Sequence, residues 1–143
     1  MGHLAQTGMY MQSAFVLAER PVPEVLARIR HGLPASMFDQ IAVTLGLSTS
    51  LLAAKLRIAR RTLTRKHGMG APLSAEVSEK VLRVARTCNL ARSLFATDQA
   101  ISQWLFKPDS ALGDVAPIDL LDTEFGAREV EALVRSLTYG QFV

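Results

Sequence analysis

The sequence predicts an all-α fold, and three observations lead to that prediction. Apolar residues recur at helical steps of three and four, glycine and proline separate the periodic segments, and no segment has the pattern of a strand. Of the 143 residues, 49% are apolar and 20% are charged, which is typical of a globular chain with a core. We therefore expect one folding unit built from short helices and one long helix.

The helix boundaries follow from capping residues and helix breakers. Ser48, Ser74 and Asp98 are suitable N-caps, and Gly32 is placed to end a helix. Residues 1–20 lack such signals and are expected to form a flexible arm. The predicted helices are 22–31, 34–45, 49–56, 59–67, 74–95, 98–105, 117–121 and 123–138.

The two ends of the chain differ in charge. Residues 1–99 contain 13 Lys or Arg and 6 Asp or Glu, whereas residues 100–143 contain 3 and 7. A basic surface suits a polyanion such as nucleic acid, and an acidic surface suits a basic protein. The charge difference and the helix order together divide the chain into the arm, a domain over 21–72 and a C-terminal domain over 73–143. We expect each domain to bind a different partner.

Several classes of function are disfavoured by the residues present. No stretch approaches the roughly 20 apolar residues of a membrane span, and the first residues do not have the composition of an export signal, so a cytoplasmic location is expected. The single cysteine, Cys88, and the three scattered histidines have no partners at metal-ligand or catalytic spacing. The sequence contains no phosphate-binding loop, nucleophile elbow or paired acid motif. We expect neither an enzyme nor a metal site, and no cofactor.

Six basic residues and no acidic one lie between residues 55 and 66, the densest charge feature of the chain. Aligned to a helix-turn-helix, the positions where the two helices pack are apolar, and the position that must be small is alanine. These residues are Leu52, Ala53, Leu56, Ile58 and Leu63. Two residues depart from the pattern: Arg57 stands at the turn, where glycine is usual, and Lys66 stands at a late position that is usually apolar.

The second helix of this motif, 59–66, is the predicted recognition helix. Arg61 and Arg65 share one face, and only one face can meet base edges, so we expect one or two residues to contact bases and others to contact phosphate. The candidate DNA-binding residues are Arg57, Arg60, Arg61, Thr62, Thr64, Arg65 and Lys66. The alternative is a solvated surface helix, but the apolar pattern of the motif favours DNA binding.

The long helix carries a continuous apolar stripe that supports two interpretations. Val77, Val81, Val84 and Cys88 recur on one face at alternating steps of four and three. The stripe either fills the core of the chain or forms a seam between two copies, and the apolar surface is wide enough for both. We predict a homodimer with these four residues at its interface, because paired helix-turn-helix units match palindromic operators.

The chain ends in a capped amphipathic helix followed by an apolar tail with Tyr139, Phe142 and Val143. Such a tail either folds back on its own domain or enters a groove of another protein. Together with three earlier segments, this ending resembles the Xre/MbcA/ParS antitoxins over residues 22–143. The segments are 56–66, 73–86, 104–113 and 117–143, the last of which carries Pro-Ile-Asp-Leu-Leu, Gly-Ala-Arg-Glu-Val-Glu-Ala-Leu and Tyr-Gly-Gln-Phe.

The resemblance implies an Xre-like DNA-binding domain joined by the long helix to a small helical toxin-binding domain. The implied toxin is a RES-domain protein that consumes NAD, and the C-terminal end of the antitoxin would block its active site. Candidate toxin-binding residues are Arg128, Glu131, Arg135, Tyr139, Gly140, Gln141, Phe142 and Val143. A homodimer within a larger toxin-antitoxin complex and repression of its own operon are also implied. Gln141 departs from the family's Tyr-Gly-Val-Phe ending.

Two other functions are compatible with the residues alone. A stand-alone dimeric transcription regulator would use its C-terminal half only to dimerise, and a neighbouring toxin gene or a co-purifying protein would distinguish an antitoxin from it. A structural interaction module would not bind DNA, and the basic segment 55–66 argues against it.

Overall fold

A computed structural model describes residues 13–140, while residues 1–12 and 141–143 lie outside the described range. The α-helices are α1 (Ala14–Leu17), α2 (Val22–His31), α3 (Ala35–Leu45), α4 (Thr49–Lys55), α5 (Arg60–Met69), α6 (Ala75–Ala91), α7 (Asp98–Leu105) and α8 (Glu124–Arg135). Across residues 13–140, β-type pairing is limited to one isolated bridge between Asp109 and Val115. The prediction of an all-α fold is confirmed.

The segments between and after the last two α-helices are also helical. Two short 3-10 helices, Ser110–Leu112 and Pro117–Leu120, lie between α7 and α8. A single π-helical turn, Ser136–Gly140, continues from the end of α8. In the described residues no single helix has the length and apolar composition to cross a membrane. Helices α3 and α4 have that length and composition only when they are taken together, and the angle between them is 103°.

The prediction of a flexible arm is wrong for its last part, because residues 14–18 pack onto the body of the protein. Ser13 caps α1 by accepting a hydrogen bond from the amide of Val16, and Ala14 and Leu17 are buried. Asn89 of α6 donates to the carbonyl oxygen of Phe15 at 2.8 Å. This part of the arm is therefore fixed by apolar burial and a hydrogen bond, while residues 1–12 of the predicted arm lie outside the described residues.

Helix α6 lies at the centre of the fold and packs against α1, α2, α3 and α8. One continuous core cluster contains residues from both predicted domains, from Phe38 of α3 to Val130 of α8. Removing a large buried side chain such as that of Phe38 costs about 3–5 kcal/mol in protein cores. The two domains therefore share one core rather than folding around separate ones.

The stripe predicted to form a dimer seam belongs to this core. Val81, Val84 and Cys88 are fully buried within the chain itself, and Val77 is partly buried against the same cluster. Because α1, α2 and α8 already cover α6, the side chains of Val81, Val84 and Cys88 offer no surface to a second copy. The predicted dimer interface is therefore wrong for these three residues, which belong to the core of the chain, while Val77 keeps part of its surface.

Gly32 fixes the approach of α3 to the start of α6. Its φ is +98°, and a Cβ atom there would stand 2.2 Å from the carbonyl oxygen of Leu73. The neighbouring Leu33 donates its amide to Ser78 at 2.8 Å and accepts the amide of Leu73 at the same distance. Only glycine fits this position, since the backbones approach too closely for a side chain.

Candidate nucleic-acid and protein interfaces

The predicted helix-turn-helix is formed by α4 and α5, with residues 56–59 as the turn. The amide of Ile58 donates to the carbonyl oxygen of Ala53 at 2.9 Å, which closes the end of α4. Arg57 has a φ of +56°, the left-handed conformation that glycine usually occupies. Arg57 therefore adopts the backbone conformation that glycine usually provides at this position of the motif. The amine of Lys80 on α6 donates to the carbonyls of Leu56 and Arg57, at 2.9 Å and 3.3 Å.

Helix α5 presents one face to the core and the opposite face to solvent. Leu63 is its buried residue, and Thr62 and Lys66 flank it as partly buried side chains. The structure brings four of the predicted DNA-binding residues together on the exposed face. They are Arg60, Arg61, Thr64 and Arg65. This face has the charge and the helical presentation needed to enter a major groove, with Arg61 and Arg65 one turn apart.

Arg57 and Lys55 are already engaged with the acidic C-terminal domain. The guanidinium of Arg57 lies 3.1 Å from the carboxylate of Asp122, although its side chain is 81% exposed. Lys55 donates to Asp119 at 2.8 Å. These two ion pairs were not foreseen from the sequence, because the partners are more than 60 residues apart. A DNA phosphate approaching Arg57 would compete with Asp122.

The outward face of α8 and the following π-helical turn carries an exposed mixture of basic and aromatic side chains. Arg128 and Arg135 are 77% and 59% exposed in their side chains. Phe125 is 79% exposed and Tyr139 is 78% exposed. Phe125 was missed as a candidate residue, although its spacing of three residues from Arg128 places it on the same helical face. An exposed aromatic ring on an otherwise polar face is typical of a protein-binding anchor.

The remaining predicted toxin-binding residues differ in position. Glu131 is 7% exposed, and its carboxylate accepts a hydrogen bond from Arg86 of α6, so this carboxylate is engaged inside the chain. Gly140 ends the described range at the end of the π-helical turn. Gln141, Phe142 and Val143 lie outside the described residues. The exposed candidates on this face are therefore Arg128, Arg135 and Tyr139, together with Phe125.

A network of charges fastens α8 to α6. Arg86 donates to Glu124 at 2.7 Å, and Arg83 donates to Glu124 at 3.3 Å and to the carbonyl oxygen of Leu121 at 3.1 Å. Burial acts to raise the pKa of Glu124, but hydrogen bonds and charge from Arg86 and Arg83 outweigh it and hold that pKa below its ordinary value. Burial also acts to lower the pKa of Arg86, and Glu131 and Glu124 outweigh it and raise that pKa.

Cys88 has no chemical role at either surface. Its thiol is fully buried, and burial raises its pKa to about 12, with a small opposing effect from the charge of Arg92. The thiolate is the reactive form of cysteine, and a thiol with this pKa remains protonated at neutral pH. Cys88 is therefore a small core residue.

Two domain families match the chain. Residues 24–86 match the antitoxin Xre-like helix-turn-helix domain, and residues 90–140 match the antitoxin Xre/MbcA/ParS C-terminal toxin-binding domain. The first match extends through most of α6, beyond the boundary predicted near residue 72. The second contains α7, α8 and the exposed face around Phe125.

Several similar proteins match this chain over most of their length. Antitoxin Xre of Photorhabdus laumondii is 31% identical over 121 residues, covering 82% of this chain and 80% of the relative. A Prs ADP-ribosylating antitoxin of Sphingobium is 30% identical over 123 residues, covering 80% and 77%. Antitoxin Xre of Yersinia enterocolitica is 30% identical over 115 residues, covering 80% and 78%. The chain belongs to the Xre/MbcA/ParS antitoxin family, with an Xre-like helix-turn-helix domain followed by a C-terminal toxin-binding domain.

Proposed function

We propose that this chain is a cytoplasmic antitoxin that neutralises a RES-domain, NAD-consuming toxin by occluding its active site, and that it represses its own operon. The observation that carries the proposal is the exposed aromatic and basic face of α8 and the π-helical turn, which lies inside the matched toxin-binding domain. Inhibition of this kind is steric, so it needs no catalytic step and no cofactor on the antitoxin.

The C-terminal face is suited to act as a plug because it is held in place before binding. Ala127, Val130 and Val134 of α8 are fully buried, and the ion pairs of Glu124 and Glu131 fix the helix to α6. A rigid face loses little conformational entropy on binding. The π-helical turn Ser136–Gly140 continues from α8, and the occluding segment of this proposal, residues 137–143, begins in that turn.

The NAD-consuming toxin is supported by the name of one relative. The Sphingobium relative is named a Prs ADP-ribosylating antitoxin. ADP-ribosylation uses NAD as the donor of the ADP-ribose group. A toxin that ADP-ribosylates its target and a RES toxin that consumes NAD would therefore use the same small molecule. The family resemblance of the C-terminal segment points in the same direction.

Repression is supported by the exposed face of α5. Arg60, Arg61 and Arg65 provide the bidentate donors that guanine and phosphate accept, and Thr64 stands between them. A homodimer would place two such helices on a palindromic operator. In this proposal the two copies meet through a surface outside the buried stripe of α6.

Truncation of the tail tests the proposed neutralisation. Cells expressing the neighbouring toxin with the full-length chain should keep normal NAD levels, whereas cells expressing it with a chain lacking residues 137–143 should lose NAD. Binding of the truncated chain to DNA serves as the control for folding. Unchanged neutralisation by the truncated chain would contradict occlusion by the tail, and NAD levels that ignore the antitoxin altogether would favour a stand-alone dimeric regulator.

The DNA interface is tested separately by Arg61→Ala and Arg65→Ala. Each change should weaken binding to the duplex upstream of the chain's own coding sequence and lower the salt slope by about 1 if the residue contacts phosphate. Fluorescence anisotropy across a salt series measures both quantities. If affinity and slope are unchanged in the double variant, the DNA surface lies elsewhere on the chain.

A further inference from the structure

A basic pocket lies beside the second half of α5, and Arg61 is not among the residues that line it. It encloses about 540 Å³ between the last turn of α2, the first turn of α3 and the segment that follows α5. Two positively charged side chains, Arg28 and Lys66, and two histidines, His31 and His67, line it. Among the described residues that form its wall, none is acidic.

The two positive charges of this pocket are not compensated by ion pairs. Within residues 13–140, no carboxylate lies at ion-pair distance from Arg28 or Lys66, while His67 contacts Asp39 at 2.6 Å. Arg28 and Lys66 are both partly buried residues that line the pocket. Like charges gathered in a concave surface raise the local positive potential, because the protein walls focus the field.

The first turn of α3 forms part of the same wall. Pro34, Ala35 and Ser36 line the pocket, and Pro34, the N-cap, provides no side-chain hydrogen bond to the amides of this turn. The positive end of an eleven-residue helix therefore lies at the same pocket as Arg28 and Lys66. Arginine, lysine and backbone amides together form the donor set that binds phosphate oxygens in proteins.

We infer that this pocket binds a phosphate group, and that the group belongs to the DNA backbone flanking the site read by α5. The inference rests on the proposed DNA-binding function. Lys66 directly follows Arg65 in the chain, so one helix would carry both a groove-facing residue and a pocket residue. A phosphate held here would anchor α2 and α3 to the duplex and would explain why Lys66 replaces the apolar residue usual at this position of the motif.

The test neutralises two pocket residues together, as Arg28→Gln with Lys66→Gln. Affinity for the upstream duplex should fall about tenfold, and the salt slope should fall by about 1, because one phosphate contact is lost. The matched control is Arg30→Gln with Lys107→Gln, which removes two exposed positive charges outside the pocket. It should change neither quantity appreciably. Circular dichroism establishes that both variants are folded.

A second arm distinguishes DNA from free phosphate as the ligand. Inorganic phosphate should raise the melting temperature of the wild-type chain only weakly if the site requires a duplex. A large rise that disappears in the pocket variant, with unchanged DNA binding, supports the phosphate site but assigns it to a small soluble phosphate. If the pocket variant matches wild type in both arms while Arg61→Ala with Arg65→Ala weakens DNA binding, the pocket is overturned and the DNA function stands. If neither pair of changes affects DNA binding, the proposed DNA function itself fails.

Discussion

The two proposed interfaces of this chain are held in different ways. The proposed DNA-binding face lies on α5, whose buried anchor is the single residue Leu63. The proposed toxin-binding face lies on α8, which buries several side chains and is fastened to α6 by Arg83 and Arg86. Attraction to a phosphate backbone acts over a distance, whereas an aromatic anchor must be positioned to fill a pocket. The helix proposed to bind protein is therefore the one that is held more firmly.

The largest expected effect comes from disturbing the rigid side. Gly126 lies in α8, and a Cβ atom there would stand 2.0 Å from the carbonyl oxygen of Leu120. Gly126→Ala should therefore push α8 away and lower the free energy of unfolding by about 3 kcal/mol. Gly68 lies in α5 with no atom within 4 Å of its Cβ position, so Gly68→Ala should stabilise the chain by about 1 kcal/mol. Urea denaturation measures both; equal effects of the same sign would contradict the contrast between the two helices.

The next effect concerns the aromatic anchor. Phe125→Ala should weaken toxin binding by about 2 kcal/mol, or roughly thirtyfold, because an exposed ring that becomes buried at an interface carries a large share of the affinity. Stability should change little, since the ring is 79% exposed in the free chain. Val43→Ala is the matched control, because Val43 on α3 is equally exposed. Calorimetric titration with an inactive variant of the neighbouring toxin measures the affinity, and equal values for the two variants would remove Phe125 from the interface.

The ion-pair network predicts a pH dependence that is specific to the rigid side. The pKa of Glu124 lies below its ordinary value of 4.5 in the folded chain, so the unfolded chain takes up a proton first as pH falls. The stability contributed by Glu124 is present above about pH 4.5 and is lost as pH falls through the lower, folded pKa. Glu124→Gln should therefore flatten the decline of the urea midpoint as pH falls below about 4.5. A decline of the same steepness in the Glu124 variant would show that other carboxylates control it.

The smallest effect concerns the ion pair that joins the two sides. Lys55 and Asp119 are 29% and 42% exposed, and exposed pairs contribute about 0–1 kcal/mol. Asp119→Asn should therefore lower the unfolding free energy by less than about 1 kcal/mol, and the difference should shrink further at high salt. A loss of several kcal/mol would mean that this contact, rather than the shared core, holds the two domains together.

Most of the fold follows from local patterns in the sequence. Helix α2 has the predicted boundaries, and the caps at Ser48 and Ser74 are confirmed. Differences occur where a local signal was weak: α1 has only four residues, too few for a periodic pattern, and α5 continues through Gly68 to Met69, with Gly70 as its C-cap. These cases need tertiary contacts to decide them.

The candidate sites were less predictable because they depend on distant partners. The helical periodicity of the sequence predicts that Glu131 lies on α8, which is confirmed. It contains no information about Arg86, 45 residues earlier, whose guanidinium holds the Glu131 carboxylate inside the chain. Similarly, the stripe of α6 was assigned correctly as apolar, but its partner could be chosen only once α1, α2 and α8 were seen to cover it. Charge patterns identified the α5 surface more directly, since a basic helix without nearby acids is visible in the sequence itself.

The basic side chains along α6 limit how domains can be exchanged between relatives. Lys80 holds the turn of the helix-turn-helix, while Arg83 and Arg86 hold the C-terminal domain, so one helix serves both within two turns. A chimaera that joins this N-terminal half to another relative's toxin-binding half must therefore also import carboxylates equivalent to Glu124 and Glu131. Without them, two arginines would be left unpaired at the junction. We therefore expect a chimaera to fold when the arginines of α6 and their carboxylate partners come from the same relative. A junction placed only by the boundary between the domains would separate them.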